Sequence, residues 1–364
     1  MDLETAFRNQ AEACGRLGSP MYAELLSRAA DDVVDGGPTA TVLAGYEDEP
    51  GPSALALRLA GSVHRLVLER RAGAVAAYYP SVGGAWADEP GWAAVRELLA
   101  DQPDAVREWL DRPPQTNEVG RSAALLGGLL ELSAASPGRP VRLLELGSSG
   151  GLNLLADRYR YRTRDGRDVG PRDSPVVVED AWTGPVPTDA EWPRIVERTG
   201  SDVLPVDVAT TEGRLTLTAY VWADQVHRHE RLRGALAVAA QVPPQVRAQS
   251  AGDLVDAIDL EAGRDGALTV VWHSVMWQYL DRAEQDRVRS RLDALGAAAS
   301  DDRPFAHLFL EPTRRSPDED HEFWVVLESW PSGGAPVRRF LGRSRGHGVP
   351  CDWERAGAGD PAPA

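Results

Sequence analysis

The sequence predicts an α/β protein: a mostly parallel sheet with a C-terminal antiparallel hairpin, preceded by a helical region. Three observations carry this. Up to about residue 140, apolar residues recur at three- and four-residue steps. From Val141 onward, short apolar runs alternate with helical patterns, as they do when a parallel sheet is covered on both faces. The last two strand patterns flank a Pro-Ser-Gly-Gly turn.

Taken in order, Leu3, Phe7, Gln10, Cys14 and Leu17 lie on one helical face, and Gly18 ends the run. Ser19-Pro20 reads as an N-cap followed by proline at the first helical position, opening a helix through Leu25, Leu26, Ala29 and Val33. Leu55, Leu59, Val63 and Leu66 mark another helix. Trp92, Val95, Leu98 and Leu99 mark the next, with a further turn at Val106, Trp109 and Leu110. Arg112-Pro113-Pro114 is the linker candidate. Val141–Leu146 is then a strand ending in a Gly/Ser turn, and Leu152, Leu154, Leu155 and Tyr159 suggest a short helix. The stretch 163–193 is Pro- and Gly-rich and reads as irregular. A strand follows from Ile195 to about Asp202, a helix over Val221–Val238, and strands at Val246–Gln249, Leu268–Trp272 and Phe305–Leu310. Between the last two, Ala283–Leu295 is a charged helix with Val288, Leu292 and Leu295 on its buried stripe. Phe323–Trp330 and Val337–Gly342 form the hairpin around Pro331-Ser332-Gly333-Gly334. The predicted division is 1–114 helical, 115–354 the sheet domain and 355–364 a disordered Gly/Ala/Pro tail.

Composition removes whole classes of chemistry. All 39 basic residues among the 364 are arginine. Without lysine there is no phosphate loop of the Gly-Lys type, no pyridoxal Schiff base and no kinase strand lysine. The net charge of −16 argues against nucleic acid, which demands a concentrated basic surface. Cys14 and Cys351, at opposite ends, build neither a metal knuckle nor a disulfide framework. No metal site is expected: His227 and His229 are two apart on a helix, and Asp318-Glu319-Asp320-His321 reads as a solvated loop. The acidic start Met1-Asp2-Leu3-Glu4 is unlike a signal peptide, and no apolar run approaches roughly 18 residues. A cytoplasmic protein without a membrane partner is the expectation.

The most informative segment is Leu144-Glu145-Leu146-Gly147-Ser148-Ser149-Gly150-Gly151-Leu152-Asn153. A strand entering a glycine turn and then a helix offers backbone N–H groups to a ligand. Glu145 sets a carboxylate beside that crevice, which suits a cationic sulfonium better than a pyrophosphate. Glu145, Gly147, Ser149 and Gly151 resemble the acidic-x-Gly-x-Gly-x-Gly motif of class I S-adenosylmethionine-dependent methyltransferases, with serine at the middle glycine. More weakly, the likeness spans about 116–346. The whole chain also resembles an uncharacterised bacterial domain-of-unknown-function family, through Gln115-Thr116-Asn117-Glu118, Glu145–Asn153 and His273–Tyr279. The methyltransferase resemblance implies a Rossmann-like sheet and S-adenosyl-L-methionine as cofactor, bound by Glu145, Gly147, Ser148, Ser149 and Gly151. It further implies Asp202 (with Asp207 as runner-up) on the ribose and Asp253 on the adenine amino group. Asp202 also reads as a turn residue, and Asp253 as a helix cap.

His273-Ser274-Val275-Met276-Trp277-Gln278-Tyr279 follows an apolar strand, where a sheet's ligand crevice opens. His273 is the candidate base, expected on the same crevice as Glu145 and Ser149. Tyr279 stands with it at the reaction centre, and Trp277 is a candidate aromatic wall. Asn117 and Arg121 are placed to reach the cofactor's or substrate's carboxylate, although Asn117 also suits a helix cap. Methyl transfer to a small-molecule acceptor, with the helical region as a lid, is the leading expectation. Two others stay open. Gly147-Ser148-Ser149-Gly150-Gly151 also satisfies Gly-x-Ser-x-Gly, the nucleophile elbow of α/β-hydrolases, with Ser149 attacking and, for example, Asp253 and His307 downstream. The fold also serves non-catalytic ligand binding.

Overall fold

The computed structural model describes residues 1–49, 54–261, 266–331 and 334–354. They form two compact units, one of residues 1–116 with 210–230, the other of 117–209 with 231 onward. The segment 210–230, which the sequence reading left within the sheet domain, folds with the N-terminal helices.

The first unit is helical: α1 (Leu3–Arg16), α2 (Pro20–Val34), α3 (Pro38–Leu43), α4 (Leu55–Leu68), α5 (Asp88–Asp101) and α6 (Pro103–Arg107). Ser19 caps α2 as its sequence predicts, accepting from the Tyr22 amide with Pro20 in the first turn. Phe7, Cys14, Leu25, Leu26, Leu59, Val63 and Leu66 are buried in one core, which Trp222 joins. The returning segment carries a later helix (Thr211–Ala219; α8 in chain order) and the start of another (Val226–Gln241; α9). It fastens by specific contacts: Ser19 Oγ donates to Asp224 at 2.7 Å, Arg65 pairs with Glu212, and Tyr22 stacks on Trp222. His64 is satisfied on both nitrogens, by Ala219 O at 3.0 Å and Ser81 Oγ at 2.8 Å.

The second unit contains α7 (Ser122–Ala135), most of α9, α10 (Ala251–Asp256) and α11 (Arg282–Ala297). Its strands are β1 (Val141–Leu146), β2 (Arg160–Arg162), β3 (Asp168–Val169), β4 (Val177–Val178), β5 (Trp182–Thr183), β6 (Ile195–Asp202) and β7 (Val246–Ala248). They continue with β8 (Leu268–Ser274), β9 (Phe305–Thr313), β10 (Glu322–Ser329), β11 (Val337–Ser344) and β12 (Cys351–Trp353). Nine strands make the main sheet in the order β5-β12-β11-β10-β9-β8-β1-β6-β7, and β3-β2-β4 make a small second sheet. From β7 to β9 every neighbour is parallel. The chain leaves β1 for β6 and β7 on one side, then crosses back to β8 and β9 on the other. The reversal lies between β1 and β8, where an open sheet leaves a crevice at its carboxyl edge.

Strands β10 and β11 pair antiparallel, as the hairpin pattern predicts, and β9 is also antiparallel to β10. Ser332 and Gly333 of its turn lie outside the described residues, as does the tail 355–364. Three differences from the sequence reading have local causes. Leu152–Arg158 is a 3-10 turn, broken by non-helical torsions at Leu155. The stretch 163–193 holds β3, β4 and β5, strands of two residues that carry no readable period. The helix read from Val221 begins at Val226. Among the described residues, no helix is long and apolar enough to cross a membrane.

Candidate functional site

Gly147, Ser149 and Gly151 all take left-handed torsions, with φ of 65°, 53° and 73°. Glycine meets this conformation without strain; Ser149 does not. A Cβ on Gly151 would lie 2.8 Å from Pro244 and Val246, so close packing as well as torsion selects glycine there. The turn's amides are committed within the chain. Ser148 N donates to Ser201 O at 2.9 Å, Ser149 N to Asp202 Oδ2 at 2.8 Å, and Gly151 N to Ser148 O at 2.8 Å. Leu152 N donates to Asn117 Oδ1 at 3.0 Å. The expectation of backbone N–H groups offered to a ligand therefore fails at these four positions.

Glu145, two residues before the turn, is 2% exposed. Its Oε1 accepts from the Trp272 indole at 3.2 Å, and Oε2 is buried without a hydrogen-bond partner. Burial pushes the carboxyl up to about 8; the Trp272 and Asn153 side chains pull it down part of the way, and the charge of Asp202 adds to the rise. Burial thus disfavours the carboxylate form that the sequence suggested.

Around the turn the structure assembles several of the expected residues. Asp202, at the end of β6, holds the Ser149 and Leu204 amides. Asn117 caps the 3-10 turn after Gly151. Arg121 donates to Gly346 O at 2.9 Å and Ser274 O at 3.3 Å, and its charge is felt at Glu145. Met276 lies against Gly147, whose added Cβ would sit 3.0 Å from the Met276 Cβ. The glycine turn and the turn after β8 are thus adjacent. A buried pair, Glu118 Oε1 and Arg231 Nη2 at 3.2 Å, lies against Gly120, the residue before Arg121. Arg231 carried no sequence signal, being one of many arginines in a charged helix.

His273 departs from expectation. Register pairs Glu145 with Trp272 and Leu146 with His273, and successive strand residues face opposite sides. His273 therefore lies on the sheet face opposite Glu145, 2% exposed, with its ring stacked on Phe309 and Trp277. Its Nδ1 is 2.8 Å from Glu311 Oε1, which also accepts the Met276 and Trp277 amides at 3.0 and 3.3 Å. Glu311 is the residue sequence reasoning missed. Trp277 is half-buried against His273, whereas Tyr279 is 45% exposed at the end of the same turn.

Asp253, in the first turn of α10, pairs with Arg287 of α11 at 2.9 Å, and that hydrogen bond holds its carboxyl below the usual range. His307 pairs with Glu328 at 2.7 Å, and burial lowers its imidazole to about 3. The partners expected for a Ser149 nucleophile are thus each engaged elsewhere. Among the described residues, no group of three or more His, Cys, Asp or Glu is arranged to hold a metal ion.

No curated protein and no solved structure matches the chain. A family pattern described as "Uncharacterized protein conserved in bacteria (DUF2332)" matches residues 4–353, nearly the whole length. The helical unit and the sheet unit with its glycine turn both fall within that match, and the chain belongs to the DUF2332 family.

Proposed function

We propose that this protein binds S-adenosyl-L-methionine across Gly147–Gly151 and transfers its methyl group to a small-molecule acceptor. One observation carries the reading. The five parallel strands have the 3-2-1-4-5 order of Rossmann-like sheets, and at their reversal the acid-led glycine turn is bonded to Asp202 of the neighbouring strand. Two buried acceptors beside it, Glu145 Oε2 and Asn153 Oδ1, lack donors, a fit for a ligand carrying cationic and N–H groups. Asp202 is placed for ribose hydroxyls, with lone pairs beyond those the backbone uses. Asp253, tied to Arg287, reaches an adenine only by exchanging that partner.

Held by the glycine turn, Glu145 and Asp202, S-adenosyl-L-methionine would supply an activated methyl group for the acceptor's lone pair, with the sulfide as leaving group. The chain's part is positioning and charge, so a dedicated base is not required. Met276 and the turn 275–279 adjoin the glycine turn on the side where β8 ends, and Trp277 and Tyr279 are the candidate acceptor contacts.

Calorimetry with S-adenosyl-L-methionine, its demethylated product and NAD tests this. We expect heat with the first two, weakened in Glu145→Gln with the fold intact, and none with NAD. No heat and no thermal shift with either sulfur compound at millimolar concentration sinks the reading. Binding without transfer to any acceptor makes the protein a ligand-binding member of the fold.

A further inference from the structure

Glu145 is walled in by several elements. The Trp272 indole of β8 is its hydrogen-bond donor among the described residues. The Asn153 side chain, from the 3-10 turn Leu152–Arg158, acts on its ionisation, yet Asn153 Oδ1 and Glu145 Oε2 are both buried acceptors without a donor. A buried carboxylate with only neutral side-chain donors, and one oxygen left without any, is badly solvated. A single proton on the carboxyl cancels that buried charge. The charged and titratable neighbours do not reverse this: Arg121 favours the anion, Asp202 opposes it, and Tyr159 is buried and neutral, its own ionisation pushed up by burial.

We propose that Glu145 carries a proton in the ligand-free protein, and that a cationic ligand seated over Gly147–Gly151 expels it, so that binding and deprotonation are one event. The location of the ligand rests on the proposed function; the proton does not. A cation over the turn stabilises the anion that burial disfavours, and by linkage its affinity must rise with pH until Glu145 is ionised without it. With the carboxyl titrating at about 8, affinity climbs by up to about tenfold per pH unit below that point and levels off above it.

The experiment is calorimetry with S-adenosyl-L-methionine at pH 7 in buffers of different ionisation enthalpy, on the wild type and Glu145→Gln. The variant subtracts protons that come from the ligand's own amine. We expect close to one additional proton released per site by the wild type, and an affinity for the variant that lacks the wild type's extra rise with pH. Infrared spectroscopy of the ligand-free proteins supplies the second readout: a protonated-carboxyl band in the wild type that Glu145→Gln removes. Binding with equal proton counts in both proteins, or no such band, overturns the inference and leaves the cofactor reading standing. No binding by the wild type overturns the cofactor reading and the expulsion step, while the band still reports the proton by itself.

Discussion

Ser149 shows how much of the turn is backbone geometry. It holds φ at 53°, and its amide is clamped by Asp202. A small side chain is what such a position requires, so Ser149→Ala should change S-adenosyl-L-methionine affinity by no more than a few-fold. A nucleophilic serine would instead lose orders of magnitude in activity on the same change and would take up a fluorophosphonate probe. Labelling at Ser149 would move the protein to the hydrolase class. At this scale the sequence was readable where chemistry is local. The acid, the turn and the asparagine that caps it lie within short motifs, and even Asp202, across a long insertion, could be named from its place after a strand. Glu311 could not. It meets His273 from 38 residues away, and a lone Glu at the end of an apolar strand has no local pattern. The face of His273 was also legible in principle: with Glu145 and His273 on adjacent strands, one residue of register decides whether they share a side.

Among the elements, the turn that follows β8 shows the most evident strain. Val275 is β-branched and sits at φ 50°, a costly conformation that persists because its surroundings hold it. Its own amide bonds Leu310 O at 3.0 Å, and Glu311 gathers the next two amides and the His273 imidazole onto one oxygen. Glu311→Ala should therefore release Met276 and Trp277. Hydrogen exchange of these two amides should quicken by about 10-fold or more while β1 and β6 stay protected, and Glu311→Gln, which keeps an acceptor oxygen, should recover much of the protection. Uniform exchange across the sheet would show that Glu311 supports the whole fold and not this turn. Strands with clear apolar runs, β1, β8 and β9, were visible beforehand because burial on both faces leaves a continuous signature. Two-residue strands such as β3 and β5 are fixed by tertiary pairing alone.

For the whole molecule, opposite pH limbs belong to different groups. His64, in the helical unit, is lowered to about 3 by burial, with His229 adding to the effect. The stability tied to its neutral form is intact above its ordinary 6.5 and is lost as pH falls toward 3. His307 does the same in the sheet unit. Glu145 works the other way: raised from 4.5 to about 8, it favours the folded state fully below 4.5, and this contribution falls as pH rises to 8. Calorimetric scans across pH should thus show a stability maximum near neutrality, and Glu145→Gln should flatten the decline between about pH 6.5 and 8, steepen the rise between 4.5 and 6.5, and leave the slope below 4.5 unchanged. An unchanged alkaline slope in the variant would contradict this. The return of residues 210–230 to the helical unit escaped the sequence reading, because a helix pattern names its apolar face but not the core that face enters. That return also sets an order of manufacture. As the ribosome delivers residues 1–116, Ser19, His64 and Arg65 still await Asp224, Ala219 and Glu212, which are translated after the glycine turn. The helical unit must therefore wait for residues 210–230, made only after synthesis of the sheet unit has begun, and a nascent chain halted before residue 210 leaves it with those partners missing.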